Sequence, residues 1–406
     1  MKTAIITVGK EVLTGKTINT NLSTISAKLN EIGIDVNRSF VIDDQKEEYI
    51  KILDFIDEDL IFFTGGLGPT IDDITRETVL EYFGVETYLD MDILNTIKGY
   101  FDRMNLSMKD TNNKQALMPK EGVMLENKRG TAPGLYFKVK GKRIVLLPGP
   151  PIELRPMLEE VIGYLKDEIG VLLYSKGFKL VGTGESYMEN KLNGFYEKHP
   201  TVNVAPYAGL GEIKYVFTSA NLADLNLCMD EFFSQFKQFI YGDLNDTLEG
   251  VVVDLLKQQN KTISFAESCT GGMLASTIVN VSGSSAVFKE SFVTYANKAK
   301  MKYLNVSSKV LDEFGAVSNE CAHEMVVGLQ KQTGADICLS VTGIAGPTGG
   351  TEEKPVGLVY FGLYHNNNIK TYRRVFNGTR SMIRTRAMIY GLNAIRGELL
   401  HEKVDN

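Results

Sequence analysis

The sequence predicts an α/β protein with two doubly wound α/β domains joined by a small α+β module. In the first and last parts of the chain, short apolar runs alternate with segments of helical spacing, which is typical of parallel sheets covered by helices. The middle part contains short strand-like runs and one amphipathic segment. A length of 406 residues corresponds to about two to three domains. We therefore expect domains at residues 1–171, 172–246 and 247–406.

The N-terminal domain is predicted from four apolar runs and two helical segments. Continuously apolar runs of this length are typical of strands buried on both faces of a parallel sheet. The Pro-Gly-Pro-Pro segment after the last run is a strong breaker and ends the pattern. The predicted strands are Thr3–Val8, Ile34–Val41, Leu60–Phe63 and Ile144–Leu147, and the predicted helices are Asn21–Ile32 and Glu47–Ile56.

The rest of the chain divides into the middle module and a second alternating region. The predicted elements of the module are Phe178–Val181, Thr201–Val204, Ile213–Thr218 and the helix Leu222–Phe239. Those of the C-terminal domain are the helix Leu248–Gln259, the strands Thr262–Phe265, Glu290–Tyr295, Asp336–Val341 and Val356–Leu363, and a final helix Arg380–Leu400 with Thr379 as its cap.

Composition excludes several classes of protein. Hydrophobic residues make up 43% of the chain and charged residues 23%, which is ordinary for a folded globular protein. The net charge of −6 argues against a general nucleic-acid-binding protein. No run of 18 apolar residues predicts a membrane span. The four cysteines form no CxxC pair, so we expect neither a disulfide framework nor a zinc site, and we expect a cytoplasmic location.

The segment around Ser268 follows a predicted strand and leads into a predicted helix. Thr270, Gly271 and Gly272 come next, and a helix start offers N–H groups that suit a phosphate or an oxyanion. Ser268 is a candidate nucleophile at this position. The alternative is that Ser268 or Thr270 only caps the helix.

A serine nucleophile needs a base, and none of the four histidines lies in a glycine-rich loop. Lys300, with a pKa lowered by burial, is the remaining candidate, and Tyr295 is a candidate relay. In the alternative, Lys298 and Lys300 lie on a solvated helix face. Cys269 competes with Ser268 for the nucleophile's role, because thiols at helix starts can have depressed pKa values.

Two further segments complete the C-terminal candidate site. The glycine-rich stretch that contains Thr342, Gly343 and Gly346 follows a strand, and we expect it to form a binding lip that offers main-chain N–H donors and the Thr342 hydroxyl to a ligand. Arg380 and Arg384 are four residues apart at the start of the last helix, where a guanidinium pair suits a phosphate. The alternative for the arginines is a solvated charged face.

The N-terminal domain carries a second candidate site. Gly65, Gly66 and Gly68 follow a strand and would let phosphate oxygens approach the main chain. Polar residues of the first three strand ends are expected at the same sheet edge. An acidic pair beside a phosphate loop can bridge a divalent metal ion to a diphosphate, although acidic residues also favour a helix start. The other predicted ligand residues are Gly9, Glu11, Asn21 and Thr70, and the predicted metal residues are Asp43, Asp72 and Asp73, with Asp44 and Glu47 in the same cluster.

The order and spacing of these motifs resemble the CinA family, the competence/damage-inducible protein A group. The C-terminal resemblance implies hydrolysis of nicotinamide mononucleotide to nicotinic acid mononucleotide and ammonia, without a cofactor. It implies Ser268 as nucleophile, Tyr295 and Lys300 as its activating pair, and one arginine of the Arg380/Arg384 pair in substrate binding.

The N-terminal part resembles the molybdopterin-binding fold family and, more closely, the CinA N-terminal domain. This resemblance implies a metal-dependent ADP-ribose pyrophosphatase that yields AMP and ribose 5-phosphate. We also expect a homodimer. Lys10 departs from the family pattern, which often has a small or acidic residue there. The middle segment resembles a KH module without a GxxG loop, so we expect no nucleic-acid partner.

Two alternatives stay open. The N-terminal loop could hold molybdopterin without hydrolysing anything, or the chain could be a non-enzymatic competence factor.

Overall fold

A computed structural model describes residues 1–105, 107–169 and 173–401. The chain divides into two compact units, Met1–Tyr174 and Ser175–Asn406. The domain boundary predicted at residues 171 and 172 lies outside the described residues. The second unit contains both the middle segment and the C-terminal segment. In the described part of the chain, no helix has the length and apolar character needed to cross a bilayer.

The first unit is built around a six-stranded mixed sheet with the strand order β2-β1-β3-β8-β7-β6. Its strands are β1 Thr3–Val8, β2 Val36–Ile42, β3 Leu60–Thr64, β4 Thr87–Leu89, β5 Leu117–Pro119, β6 Val123–Leu125, β7 Gly134–Val139 and β8 Lys142–Leu147. Its helices are α1 Lys10–Leu13, α2 Thr20–Asn30, α3 Lys46–Phe55, α4 Thr75–Phe83, α5 Met91–Arg103 and α6 Pro151–Ile169, with a 3-10 helix at Asp110–Ala116. Strands β4 and β5 form a separate antiparallel pair.

Both faces of this sheet are covered by helices, which explains the continuously apolar strands. Along β1, Ile6 packs in a cluster with Tyr49 of α3, whereas Ile5 packs in another cluster with Ile25 of α2. Strands β1, β2, β3 and β8 are parallel, so their carboxyl ends meet at one edge. The antiparallel strands β6 and β7, which were not predicted from the sequence, extend the sheet on one side.

The second unit contains a four-stranded sheet, β10-β11-β9-β12, and a five-stranded sheet, β14-β13-β15-β16-β17. Its strands are β9 Tyr174–Val181, β10 Asn203–Ala208, β11 Glu212–Ser219, β12 Ile240–Asp243, β13 Ile263–Glu267, β14 Phe288–Val293, β15 Ile337–Gly343, β16 Leu358–His365 and β17 Asn368–Val375. Its helices are α7 Glu185–Lys191, α8 Phe195–Lys198, α9 Leu222–Phe236, α10 Leu248–Gln258, α11 Met273–Val279, α12 Asn297–Leu304, α13 Ser308–Glu313, α14 Asn319–Thr333 and α15 Arg380–Leu400, with a 3-10 helix at Ser284–Ala286.

The three parallel strands of the five-stranded sheet position the C-terminal candidate site. Strand β13 pairs in parallel with β14 on one side and with β15 on the other. Just beyond the strand ends, the N–H of Ser268 donates to Val341 O at 2.9 Å, and the N–H of Thr294 donates to Glu267 O at 2.8 Å. The segments after all three strands therefore begin side by side. The antiparallel strands β16 and β17 complete the sheet, and the sequence analysis did not predict β17.

The helix that follows Ser268 begins later than its sequence indicates. Gly272 adopts a left-handed conformation at the N-cap, and the helix α11 starts only at Met273. Likewise α4 begins at Thr75, so Asp72 and Asp73 lie in the preceding loop and not in the first turn of a helix. These shifts place the glycine-rich segments in loops at the sheet edge.

Candidate active site

Ser268 and Lys300 form a buried pair at the carboxyl end of the five-stranded sheet. Ser268 is 8% exposed and Lys300 is 1% exposed. Lys300 Nζ lies 3.0 Å from Ser268 Oγ. It also donates to Thr294 O at 2.8 Å and to Tyr295 O at 3.3 Å. The structure thus brings together the serine and the lysine that sequence reasoning singled out, and it rules out a solvated face for Lys300.

Burial lowers the pKa of Lys300 from its ordinary value. Among the residues that the structure describes, no carboxylate forms an ion pair with this amine. A neutral amine has two hydrogens and one lone pair. When Lys300 is neutral, the two carbonyl oxygens can accept its two hydrogens, which leaves its lone pair for the Ser268 hydroxyl. Lys300 can therefore act as the base that removes the hydroxyl proton of Ser268.

Glu267, which sequence reasoning missed, holds the segment that carries Ser268. Its fully buried carboxylate accepts hydrogen bonds from the N–H groups of Gly272 at 3.0 Å, Leu274 at 3.1 Å and Ala275 at 3.0 Å. These are the donors that we expected to receive a phosphate or an oxyanion, so that expectation is corrected: an internal carboxylate occupies the start of α11. The signal was a charged residue that ends a buried strand immediately before a glycine-rich loop.

Cys269 is the weaker candidate nucleophile, because its thiol is protonated and only Ser268 contacts the Lys300 amine. Its side chain is 5% exposed, and burial raises the pKa of its thiol to about 12. The neighbouring Thr270 is fully buried, and its hydroxyl oxygen has no hydrogen-bond partner within the described residues. The geometry therefore favours Ser268 over Cys269.

Tyr295 lies at the rim, and its hydroxyl contacts Arg380, whereas the relay predicted from the sequence would need a contact with Ser268 or Lys300. Its side chain is 62% exposed, and its hydroxyl accepts a hydrogen bond from Arg380 Nη2 at 3.1 Å. Only its main-chain carbonyl reaches Lys300. The strand ends at Val293, so the chain turns before α12 and directs the phenol outward.

The two arginines at the start of α15 have different environments. Arg384 donates from Nε to Cys269 O at 3.1 Å and from Nη2 to Thr270 O at 2.7 Å, so it holds the serine-bearing loop. Arg380 is exposed and donates to Gly346 O at 2.7 Å. The sequence left the choice between them open. Arg380 is the more exposed of the two guanidiniums, whereas Arg384 is half-buried and already donates to two main-chain carbonyls.

The glycine-rich lip residues Thr342 and Gly346 contact neighbouring segments of the protein. Thr342 is buried, and its hydroxyl donates to Ala316 O at 2.6 Å, which corrects the expectation that it faces a ligand. Gly343 is the last residue of β15. A Cβ on Gly346 would lie 2.5 Å from Val356 Cγ1, so this glycine permits a close approach of two chain segments.

In the first unit, a cavity of about 540 Å³ lies at the carboxyl edge of the six-stranded sheet. We call it the central cavity. A Cβ on Gly65 would collide with Val8 O, so the glycine lets two strand ends approach closely. The residues predicted for this site that line the cavity are Gly9, Glu11, Gly65, Gly66, Gly68, Asp72 and Asp73.

The acidic cluster after β2 is oriented differently from the prediction. Asp44 lines the central cavity, whereas the carboxylate of Asp43 accepts hydrogen bonds from the main chain of Asp44 and the side chain of Gln45. Asp43 is therefore replaced by Asp44 at the cavity wall. Burial, followed by the negative charges of Glu11 and other carboxylates, raises the pKa of Asp44 to about 6.

The remaining predicted residues support the walls of the central cavity. The Thr70 N–H donates to Asp73 Oδ2 at 3.0 Å, and its hydroxyl donates to the same oxygen, which closes the glycine-rich loop. Asn21 donates from Nδ2 to Gly149 O at 2.7 Å. Within residues 1–105, 107–169 and 173–401, no three histidine, cysteine, aspartate or glutamate side chains are grouped to hold a metal ion alone.

Comparison with known proteins agrees with the two-part organisation. A family model described as "CinA C-terminal domain" matches residues 245–399, and one described as "Probable molybdopterin binding domain" matches residues 4–167. A CinA-like protein from Kosmotoga olearia is 42% identical over 409 residues, covering 98% of this chain and 99% of its own length. A CinA-like protein from Dictyoglomus turgidum is 40% identical over 410 residues, covering 99% and 100%.

Solved structures of single-domain length are also similar. The crystal structure of the competence/damage inducible protein CihA from Agrobacterium tumefaciens is 38% identical, with a TM-score of 0.36, and the match covers 37% of this chain and 92% of that one. The full-length relatives confirm the resemblance drawn from the motifs. The chain belongs to the CinA family, with a molybdopterin-binding-like domain in its N-terminal part and a CinA C-terminal domain in its last part.

Proposed function

We propose that the second unit hydrolyses the carboxamide of nicotinamide mononucleotide by covalent serine catalysis. The observation that carries this proposal is the 3.0 Å contact between Ser268 Oγ and the buried amine of Lys300, whose two other contacts are carbonyl oxygens. Serine–lysine pairs are an established alternative to the serine–histidine pair.

In the proposed reaction, Ser268 Oγ attacks the carboxamide carbon and its proton passes to Lys300 Nζ. The resulting ammonium of Lys300 then protonates the amide nitrogen, which leaves as ammonia. A water molecule, deprotonated by the same amine, hydrolyses the acyl ester to the carboxylate and regenerates Ser268. The main-chain N–H groups of Cys269, Thr270 and Gly271, which do not donate to Glu267, are the candidate donors to the oxyanion.

Arg380 is the proposed contact for the substrate's phosphate. It is exposed at the lip, next to Gly346 and Tyr295, whereas the contacts of Arg384 lie within the protein. A guanidinium can bind phosphate oxygens through two parallel hydrogen bonds. The mononucleotide is therefore expected to be a much better substrate than free nicotinamide.

Ammonia release from nicotinamide mononucleotide tests this proposal. Ser268→Ala is expected to abolish the activity, and the matched control Cys269→Ala is expected to retain it. An inactive cysteine variant beside an active serine variant would make Cys269 the nucleophile. Equal activity on free nicotinamide would remove the role given to Arg380.

For the first unit we propose a metal-dependent hydrolysis of the diphosphate of ADP-ribose. The central cavity supports this proposal, because a glycine-rich loop and the carboxylates of Glu11, Asp44 and Asp72 border the same space. Mg²⁺ commonly binds through one or two carboxylates together with substrate phosphates and water. Glu11 and Asp44 fit that role, and a bound ion would neutralise charge on the diphosphate.

AMP release from ADP-ribose by the full chain, measured across divalent metals, tests this second activity. Glu11→Gln is expected to lower the rate. Glu47→Gln serves as its control, because Glu47, which the sequence placed in the acidic cluster, is exposed and does not line the central cavity. If no metal supports AMP release, a non-hydrolytic molybdopterin-binding role for this unit is favoured. If the full chain shows neither activity, the competence-factor alternative is favoured. A homodimer stays a prediction, which sedimentation can measure.

A further inference from the structure

The glycine-rich lip of the second unit runs through residues 342–357 and connects β15 with β16. Its two ends are joined at the base, where the Ile344 N–H donates to Leu358 O at 2.8 Å and the Gly357 N–H donates to Ile344 O at 2.7 Å. Between these ends, residues 347–353 are exposed. The position of this outer part therefore depends on contacts with neighbouring segments.

Two side chains of the lip bind the turn between α13 and α14. Lys354 Nζ donates to Phe314 O at 2.6 Å, and the Thr342 hydroxyl donates to Ala316 O at 2.6 Å. Thr342 lies in β15 and is buried, whereas Lys354 is half-buried and directly follows the exposed part of the lip. We call the contact between Lys354 and Phe314 O the lip latch, because it fastens the outer part.

A purely structural role for the lip latch is the alternative. Helix α13 ends at Phe314, and a lysine that binds the last carbonyl groups of a helix is a common stabilising contact. A test of any further role must therefore separate substrate binding from stability.

The two limbs of the lip pack closely against each other at Val356. A Cβ on Gly346 would lie 2.5 Å from Val356 Cγ1, and a Cβ on Gly350 would lie 2.7 Å from Val356 N. The two glycines thus let both limbs approach the same residue. Because Val356 follows Lys354 by two residues and close-packed segments transmit strain, a displacement of Lys354 also displaces Gly346.

Gly346 connects the lip to the first residue of α15. Its carbonyl oxygen accepts a hydrogen bond from Arg380 Nη1 at 2.7 Å, and Arg380 Nη2 donates to the Tyr295 hydroxyl at 3.1 Å. An exposed arginine has many rotamers, and each contact of this kind restricts them. The lip therefore helps to set the direction of the Arg380 guanidinium.

We propose that Lys354 is a positioning residue for substrate binding in the second unit. The lip latch holds the lip against Phe314 O, and Gly346 of the lip orients Arg380 toward the phosphate of the mononucleotide. Lys354 acts through Arg380 and makes no contact with the substrate itself. The inference rests on the function proposed for the second unit and names the residue that prepares its phosphate contact.

Ammonia release from nicotinamide mononucleotide by the full chain tests this role. Lys354→Met keeps the apolar stem of the side chain and removes the amine. We expect KM to rise about three- to tenfold, because a misdirected guanidinium loses part of its paired contact with phosphate. We expect kcat to stay within about twofold, because Ser268 and Lys300 are unchanged.

Two further variants control this measurement. Lys354→Arg keeps a donor for Phe314 O and is expected to restore the wild-type KM. Lys309→Met removes an exposed lysine from α13 and is expected to behave as the wild type. An unchanged KM in Lys354→Met, or a fall in kcat at unchanged KM, overturns the proposal.

A double-mutant cycle with Arg380→Leu separates a role through Arg380 from a structural one. If Lys354 acts through Arg380, Lys354→Met is expected to change KM by less than about twofold once Arg380 is leucine. A loss that adds in full to that of Arg380→Leu would overturn the proposal, since it would show a general loosening of the lip.

Protease cleavage measures the lip latch without any substrate. Glu352 is exposed in the lip, so a glutamate-specific protease can cut after it. Release of the outer part by Lys354→Met is expected to speed this cleavage by about threefold or more relative to the wild type and to Lys309→Met. Cleavage at the wild-type rate would overturn the lip latch.

The amidase activity is read separately from the positioning role. If the wild type releases no ammonia from the mononucleotide, the proposed function is overturned, and calorimetric binding of the mononucleotide replaces KM. Weaker binding in Lys354→Met than in Lys309→Met then keeps the positioning role. Equal binding in these two variants, or no binding by the wild type, overturns that role as well.

Discussion

Replacing Lys300 with methionine tests the chemistry and the energetics of the second unit together. Methionine keeps an apolar body in the same space and removes the amine that lies 3.0 Å from Ser268 Oγ. Removal of a general base costs about 10²- to 10⁴-fold in rate. We therefore expect a loss of ammonia release from nicotinamide mononucleotide in that range, which corresponds to about 3–5 kcal/mol in the activation barrier.

The same variant has a pH signature in stability. Burial holds the pKa of Lys300 below its ordinary value of 10.5, so between these two values the unfolded chain binds one more proton than the folded chain. The wild type therefore gains stability as pH rises through this window, with a slope of up to about 1.4 kcal/mol per pH unit. Lys300→Met lacks this contribution, and its stability relative to the wild type falls as pH approaches 10.5.

Urea unfolding from pH 6 to 10, together with the ammonia assay, measures both effects. Lys298→Met, an exposed position on the same helix, is the control and should match the wild type in both. Amide hydrolysis within threefold of the wild type, or a stability difference that stays constant with pH, would refute the neutral-amine reasoning.

The remaining predictions concern residues that hold or line the two candidate sites. Glu267→Gln puts an amide nitrogen against at least one of three main-chain N–H donors beside a buried side chain, so we expect a loss of about 3 kcal/mol in unfolding free energy. A loss below about 1 kcal/mol by urea titration would contradict this. Arg384→Leu should lower the melting temperature by releasing Cys269 O and Thr270 O, whereas Arg380→Leu should raise KM for the mononucleotide about tenfold and leave the melting temperature unchanged. The pKa of Asp44 near 6 means that the folded chain keeps its proton longer than the unfolded chain, so stability falls as pH rises from about 4 to 6. Asp44→Asn should therefore stabilise the chain by about 1 kcal/mol at pH 7.5, a value discounted because the carboxyl is partly exposed, and a destabilised variant in chemical denaturation would count against it.

Local patterns predicted much of the fold. Continuous apolar runs such as Thr3–Val8 and Leu60–Phe63 are visible in the sequence because both faces of those strands are buried. Strand β17 has alternating half-buried and exposed residues and begins directly after the turn at Asn366 and Asn367. Its pairing with β16 depends on a long-range register, and this explains why the sequence analysis missed it.

The candidate site residues also divide into features that the sequence predicted and features that only the structure shows. By itself, the sequence determined the α/β alternation, the family and the presence of Ser268 and Lys300 in segments that follow strands, because these follow from residue type and spacing. Only the tertiary structure decided which side chains meet. It turned Tyr295 outward, filled the start of α11 with Glu267, and placed Asp44 in the cavity in place of Asp43. The direction of a side chain depends on strand ends, loop turns and burial set by distant segments, and sequence spacing carries no information about those.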